Sequence, residues 1–190
     1  MYLFFDTETT GLPRDYKAPI TDLENWPRLV QLAWLLYNSE DKLFTSCNVI
    51  IKPEGFTIPE EVAKLHGITQ ERALEEGKKL ADVLKDFAMA LDKCSHLVAH
   101  NMAFDEKIVG AEYLRLKWPS ELPKRTKICT MNSSVKFCAL PGKFGYKWPK
   151  LEELHQKLFG TDFSDQHNAA SDIQATARCF FELKRLKVIP

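Results

Sequence analysis

Three short motifs, each placing carboxylates beside an apolar run, constrain this chain more than any other feature. They are Phe5-Asp6-Thr7-Glu8-Thr9-Thr10-Gly11, His100-Asn101-Met102-Ala103-Phe104-Asp105 and His167-Asn168-Ala169-Ala170-Ser171-Asp172. The apolar runs carry these motifs toward the interior of whatever fold forms. An unpaired charge there costs several kcal/mol, so the fold must bring the acids together around a compensating positive charge.

The local spacing sharpens this. Asp6 and Glu8 are two apart on a predicted strand, so their side chains point to the same face. Two carboxylates that close repel unless a cation or proton lies between them. Thr7 points the other way, with Phe5. Asp105 falls in the first turn of a predicted helix delivered by the strand His96-Leu97-Val98-Ala99. That position also suits simple capping, and Asn101 suits a turn or cap held by hydrogen bonds to backbone. Asp172 falls in the first turn of the last predicted helix, on a face with Ala169, Ile173 and Thr176. His167 lies in the loop before that helix, where a histidine titrating near neutrality can accept a proton from water.

With 190 residues the chain is expected to form one domain, residues 1–190. No apolar run approaches the ~18–20 residues a membrane span needs. Met1–Phe5 reads as a strand rather than a signal peptide. The five cysteines are odd in number and widely spaced, and no CxxC pair occurs. That pattern fits neither a zinc site nor a disulfide framework and points to a reducing, cytoplasmic setting. A formal net charge of zero argues against coating long duplexes by charge alone. The distribution is uneven, however. Leu122 to Lys150 contains no Asp or Glu but seven Lys and Arg, with Phe144, Tyr146 and Trp148 interleaved at its end. Such a segment can track phosphates and stack bases, or be a solvated loop with one or two aromatics tucked into the core.

Along the chain, residues 2–8 read as a buried strand and residues 12–28, with Pro13, Pro19 and Pro27, as a long loop. Leu29–Tyr37 and Leu43–Lys52 read as a hairpin pair. Pro59–Gly67 suits a short helix, with Pro at its first turn and Gly after its end. Leu80, Val83, Leu84, Phe87 and Leu91 recur at helical spacing. The strand His96–Ala99, a helix over Phe104–Leu116, a short strand over Lys127–Thr130, a helix from Leu151 to Gly160 and a last helix over Ala169–Leu186 follow. The order predicts an α/β fold that starts antiparallel and continues with parallel strands.

Carboxylates in this arrangement suit hard divalent cations, two of which make a phosphodiester-cleaving site, so the motifs read as a metal-dependent nuclease. Together, and in this order, they resemble the DEDDh class of 3′–5′ exonucleases, the class of the proofreading epsilon subunit of bacterial DNA polymerase III. Asp6-Thr7-Glu8 matches its first motif, His100 to Asp105 its second, and His167, Ala169 and Asp172 its third. The stretch from Glu61 to His66-Gly67-Ile68-Thr69 is similar as well. The resemblance implies a ribonuclease H-like fold, a mixed five-stranded sheet with helices on both faces.

It further implies two divalent cations, Mg²⁺ or Mn²⁺. Asp6, Glu8 and Asp172 would hold one, and Asp6 with Asp105, through water, the other. His167 would act as general base. Thr9, Leu12, Glu61, His66 and Phe104 would line the site of the terminal nucleotide, and Glu8 would contact its 3′-hydroxyl. The expected partner is the 3′ end of single-stranded nucleic acid, with a DNA polymerase subunit as a further partner open to such a domain. An RNA-trimming enzyme and a non-catalytic binding module are the competing readings. The sequence departs from the class pattern in three ways: Ile173 replaces a small residue, the loop from Leu12 to Arg28 is longer than compact members need, and no tail follows the last helix to tether a partner. Nothing in it demands an oligomer.

Overall fold

In the computed structural model, which describes residues 1–38, 40–163 and 168–189, β1 (Tyr2–Thr9) is the middle strand of a five-stranded sheet. β2 (Leu29–Tyr37) and β3 (Leu43–Ile50) follow it. Next come α1 (Glu60–His66), α2 (Gln70–Glu76), α3 (Leu80–Lys93), β4 (His96–Ala99) and α4 (Met102–Arg115). A 3-10 turn at Leu122–Lys124 leads to β5 (Thr126–Cys129), α5 (Thr130–Ser133) and α6 (Val135–Cys138). The two-residue strands β6 (Pro141–Gly142) and β7 (Gly145–Tyr146) form a separate hairpin before α7 (Leu151–Phe159) and α8 (Ala169–Arg185).

The sheet order is β3-β2-β1-β4-β5. β1 pairs antiparallel with β2, and β2 with β3, whereas β4 lies parallel to β1 and β5 parallel to β4. This is the mixed five-stranded sheet expected. Period-two alternation along β1 sends its residues to two different helical layers. On one face Tyr2 and Phe4 pack against Phe180 of α8, with ring centroids 4.9 and 5.2 Å apart. On the other, Phe5 and its cross-strand partner Trp34 pack against Phe87 of α3. α4 lies beside α3 on this second face, where the Tyr113 hydroxyl donates to the Leu84 carbonyl at 2.9 Å. Val30, Ile50, Ile58, Ile68 and Ala73 form a smaller cluster that seats α1 and α2 on the sheet.

Several element boundaries differ from the expected ones. α4 starts at Met102 rather than Phe104, and β5 ends at Cys129. The regular part of β3 stops at Ile50, with only an isolated bridge from Ile51 to Lys78 beyond it. α2, α5, α6 and the β6–β7 hairpin are additions to the expected order. α2 buries only Ala73, so it has no apolar stripe to betray it. Its signal was the cap: the Thr69 side chain accepts from the Arg72 amide at 3.2 Å.

The long loop between β1 and β2 is fastened to α4. Glu112 is fully buried, and its Oε1 accepts from Arg28 Nε at 2.9 Å, Arg115 Nη1 at 2.9 Å and the Leu29 amide at 3.0 Å. Arg115 in turn donates to the Leu23 and Trp26 carbonyls, both at 2.7 Å. Lys107 donates to the Tyr16 carbonyl at 2.9 Å and lies over the Trp26 ring. Removing one member of such a network leaves buried charge unpaired. Glu112→Ala is expected to lower stability by about 3 kcal/mol in urea unfolding, and Glu112→Gln by less, since an amide oxygen can still accept from Leu29. A loss for the alanine variant below about 1 kcal/mol, the range of an exposed ion pair, would contradict the clamp.

Candidate active site

The parallel pairing of β1 with β4 ends at Phe4 and Val98. Beyond that point the two strands part: β1 runs on to Thr9, and β4 leaves the sheet after Ala99 for α4. Such a divergence at the carboxyl ends of parallel strands opens a crevice. Asp6 and Glu8 stand in it on the α8 side of β1. α8 runs antiparallel to β1. Eight residues of helix span about 12 Å and four of strand about 13 Å, so packing Phe180 on Tyr2 brings Asp172 level with Asp6. Carboxylate oxygens of Asp6, Glu8 and Asp172 all lie within 4.8 Å of one another. Three acids that close form a donor set for a hard divalent cation.

Asp105 reaches the crevice from the opposite layer. Its Oδ1 accepts from the Thr7 hydroxyl at 2.7 Å and from the Thr7 amide at 3.1 Å. Thr7 thus holds the fourth carboxylate while its neighbours Asp6 and Glu8 face the other way. Alternation puts Thr7 on the face opposite Asp6 and Glu8, and in the fold that face is covered by α4. Asn101 has a left-handed backbone, φ 81° and ψ 47°, and makes no side-chain cap bond. Of the two roles expected for it, the turn is the one seen: Asn is among the few residues that tolerate this conformation, and here it turns the chain from β4 into α4.

The electrostatics register the crowding. Asp6 and Glu8 keep some surface open to the crevice, yet enough protein encloses them to disfavour ionisation. Burial, reinforced by Asp105, Asp172 and Glu8, holds the Asp6 carboxyl well above the usual range. Burial, with Asp172 and Asp105, pushes Glu8 up to about 8. Burial raises Asp105 to about 7 against the lowering effect of the Thr7 hydrogen bonds. His100, in the second motif, is pushed down to about 4 by burial. Its Nε2 lies 3.0 Å from the Pro149 carbonyl, which can only accept, so Nε2 carries the proton and Nδ1 accepts from the Thr130 hydroxyl at 2.9 Å. His100 is therefore a neutral strut between β4, α5 and the segment before α7.

The remaining predicted residues separate into two groups. Thr9 is buried, its hydroxyl donating to the Gly11 carbonyl at 2.7 Å, and its own backbone lies beside the buried ring of His66. His66 Nδ1 accepts from the Ile68 amide at 3.2 Å. Leu12 and Glu61 are exposed. Phe104, one residue before Asp105, faces Tyr16 with ring centroids 6.5 Å apart. His167 lies outside the described residues. A cavity of about 420 Å³ opens over Asp6 and Asp172, walled by His100, Trp148 and Phe163. Of the interleaved aromatics, Phe144, Tyr146 and Trp148 are all exposed, so none of them is core. Among the described residues no helix is long and apolar enough to cross a membrane.

Comparison with known proteins gives a consistent picture. Residues 3–180 match the RNase_T family, described as Exonuclease. The chain is 28% identical over 193 residues to DNA polymerase III PolC-type of Bacillus subtilis, covering 98% of this chain and 11% of that one. It is 32% identical over 185 residues to the PolC-type polymerase of Streptococcus pyogenes, covering 95% and 11%. The chain therefore spans about a tenth of the length of these curated relatives. E. coli exonuclease I in complex with a dA16 oligonucleotide superimposes with a TM-score of 0.75 at 19% identity, over 98% of this chain and 41% of that one. The zinc-bound form of an E. coli exonuclease I complex with single-stranded DNA gives 0.75 at 20%, over 98% and 40%. These likenesses bear out the ribonuclease H-like fold.

The raised acids dictate a pH dependence. Unfolded, Asp and Glu titrate near 4. Folded and metal-free, Glu8 and Asp105 titrate near 8 and 7. The folded state binds more protons in between, so this contribution to stability is present below about pH 4 and is lost as pH rises toward about 8. Thermal melts in EDTA are expected to show Tm falling from pH 5 to pH 8, with Asp6→Asn raising Tm at pH 8 and excess Mn²⁺ raising wild type. A Tm at pH 8 that neither the substitution nor the cation raises would refute the crowding.

Proposed function

Because the chain belongs to the RNase_T exonuclease family, we propose that it is a metal-dependent 3′–5′ exonuclease. It releases nucleoside 5′-monophosphates from the 3′ ends of single-stranded DNA, in proofreading or repair. The observation that carries this reading is the Asp6–Glu8–Asp172 cluster, with oxygens within 4.8 Å of one another. An all-oxygen donor set of raised pKa fits Mg²⁺ or Mn²⁺ and does not fit a softer site. Asp6, Glu8 and Asp172 would hold one cation, and Asp6 with Asp105 a second. When bound there, the cations would supply positive charge against the charge developing on the phosphate and the leaving oxygen, and would acidify the attacking water.

The chain's own residues do the rest. Thr7 fixes Asp105 so that the fourth carboxylate meets the other three with little freedom lost on binding. His167 takes a proton from the water whose oxygen attacks phosphorus, while the bond from phosphorus to the 3′ oxygen of the upstream nucleotide breaks. Glu8 contacts the terminal 3′-hydroxyl, which favours ends over internal bonds. Thr9, Leu12, Glu61 and His66 border the terminal nucleoside. DNA is favoured over RNA as substrate because the similar polymerases and the oligonucleotide-bound exonuclease I structures concern DNA. The same polymerase relatives support a DNA polymerase as partner.

A gel time course on 3′-labelled and 5′-labelled single strands tests this reading. With Mg²⁺ or Mn²⁺, the 5′-labelled strand should shorten stepwise and the 3′-labelled strand should release labelled mononucleotide at once; EDTA should stop both. Internal cleavage, or no cleavage under either metal, would contradict it. Asp6→Ala should abolish hydrolysis while leaving the folded state intact by circular dichroism. His167→Ala should lower kcat by about 10²–10⁴-fold with little change in KM. An unchanged kcat for that variant would remove the general-base role.

A further inference from the structure

A second cavity, of about 430 Å³, adjoins the catalytic one. Hydrolysis as derived above makes no use of it. Its walls are Tyr16 from the β1–β2 loop, Phe104 from α4 and Trp148 from the segment after β7. Asn101, Met131 and Trp148 line both cavities, so the two are continuous around them. Tyr16 is 53% exposed and Trp148 68% exposed. Clustered aromatic surface left open to water beside an active site marks a binding face.

We propose that this cavity is a base-stacking subsite for the single strand on the 5′ side of the scissile bond, with Tyr16 and Trp148 as its platforms. This inference rests on the exonuclease reading and extends it. The side follows from the placement of the five residues expected around the terminal nucleoside: Thr9, Leu12, Glu61 and His66 line neither cavity, and Phe104 alone lines this one, at its junction with the catalytic cavity. The strand leaves the carboxylates in the other direction, past Trp148. The ligand class follows from charge. Trp148 lies near the end of a stretch, from Leu122 to Lys150, with no acidic residue and seven basic ones, among them the exposed Lys136 and Lys143. Aromatic faces for bases with lysines for phosphates are the two components of sequence-tolerant single-strand binding.

The backbone beneath both platforms is held before any strand arrives. Lys107 donates to the carbonyl of Tyr16 itself at 2.9 Å. Trp148 is bracketed by the Lys147 amide, which donates to the Leu140 carbonyl at 3.0 Å, and by Pro149, whose carbonyl accepts from His100 at 3.0 Å. Binding therefore costs little ordering of the backbone.

Two substrates separate this subsite from the chemistry. A short oligodeoxythymidylate fills it, whereas thymidine 5′-(p-nitrophenyl phosphate) has no upstream nucleotide to place in it. For Tyr16→Ala and for Trp148→Ala, the ratio of kcat/KM on the oligonucleotide to that on the ester is expected to fall about tenfold or more. Most of the loss should be in KM, and Tyr16→Phe and Trp148→Phe should recover most of it. Turnover of the ester by the Tyr16 variants also reports that they are folded; circular dichroism reports it for the Trp148 variants, because that side chain also walls the catalytic cavity. A ratio within about twofold of wild type for both alanine variants would overturn the subsite while leaving the exonuclease reading standing. Wild type inactive on both substrates would overturn the two together.

Discussion

Mutual repulsion among carboxylates at the end of β1 is the constraint on which the rest of this structure depends. Left alone, Asp6, Glu8, Asp105 and Asp172 would drift apart or take up protons; burial first and the neighbouring carboxylates second raise the pKa of Asp6 and Glu8, while burial alone raises that of Asp105. The fold resists it with rigid elements. β1 is hydrogen-bonded to β2 along its whole length, so Asp6 and Glu8 cannot splay. The Phe180 contacts with Tyr2 and Phe4 lock α8 in register, and Asp172 is carried along. Asp105 is held by Thr7 through two hydrogen bonds. Energy stored against charge in this way is what a cation releases on binding.

One helix links this centre to its surroundings. α4 carries Asp105 in its first turn and Glu112 two turns later, and between them Lys107. The first reaches the carboxylate cluster, the second anchors Arg28 and the end of the long loop, and the third holds Tyr16 and Trp26. The loop that looked oversized in the sequence is thus a fastened wall and not slack chain. Its anchor points lie on the same rigid body as a proposed metal ligand. His100 plays a similar part on the far side, tying β4 to Thr130 and to Pro149 just before α7.

The motifs and the sheet were legible because alternation and helical spacing are local signals. Asp6 and Glu8 on one face, the β2–β3 hairpin, the Pro59–Gly67 helix and the apolar stripe of α3 all followed from spacing within a few residues. The missed elements lack such signals. α2 is polar on nearly every face, and α5 and α6 are single turns. The β6–β7 hairpin owes its shape to Gly145, whose φ is 122°, and to Gly142, where a side chain would meet Gly145 O and Lys147 N at 3.0 Å. Thr7 and Tyr16 were illegible for a different reason: each acts through a partner about ninety residues away in the chain, and only the folded arrangement reveals the pairing.

The central claim is that a proton-loaded carboxylate cluster gives way to divalent cations. Its most direct test is calorimetric titration of the chain with Mn²⁺ at pH 7 in two buffers of different ionisation enthalpy. The account predicts two binding events per chain, with heats that differ between the buffers because protons leave Glu8, Asp105 and Asp6 as metal enters, and with that buffer dependence lost in Asp6→Ala. Absence of binding, or binding whose heat is the same in both buffers, would contradict it.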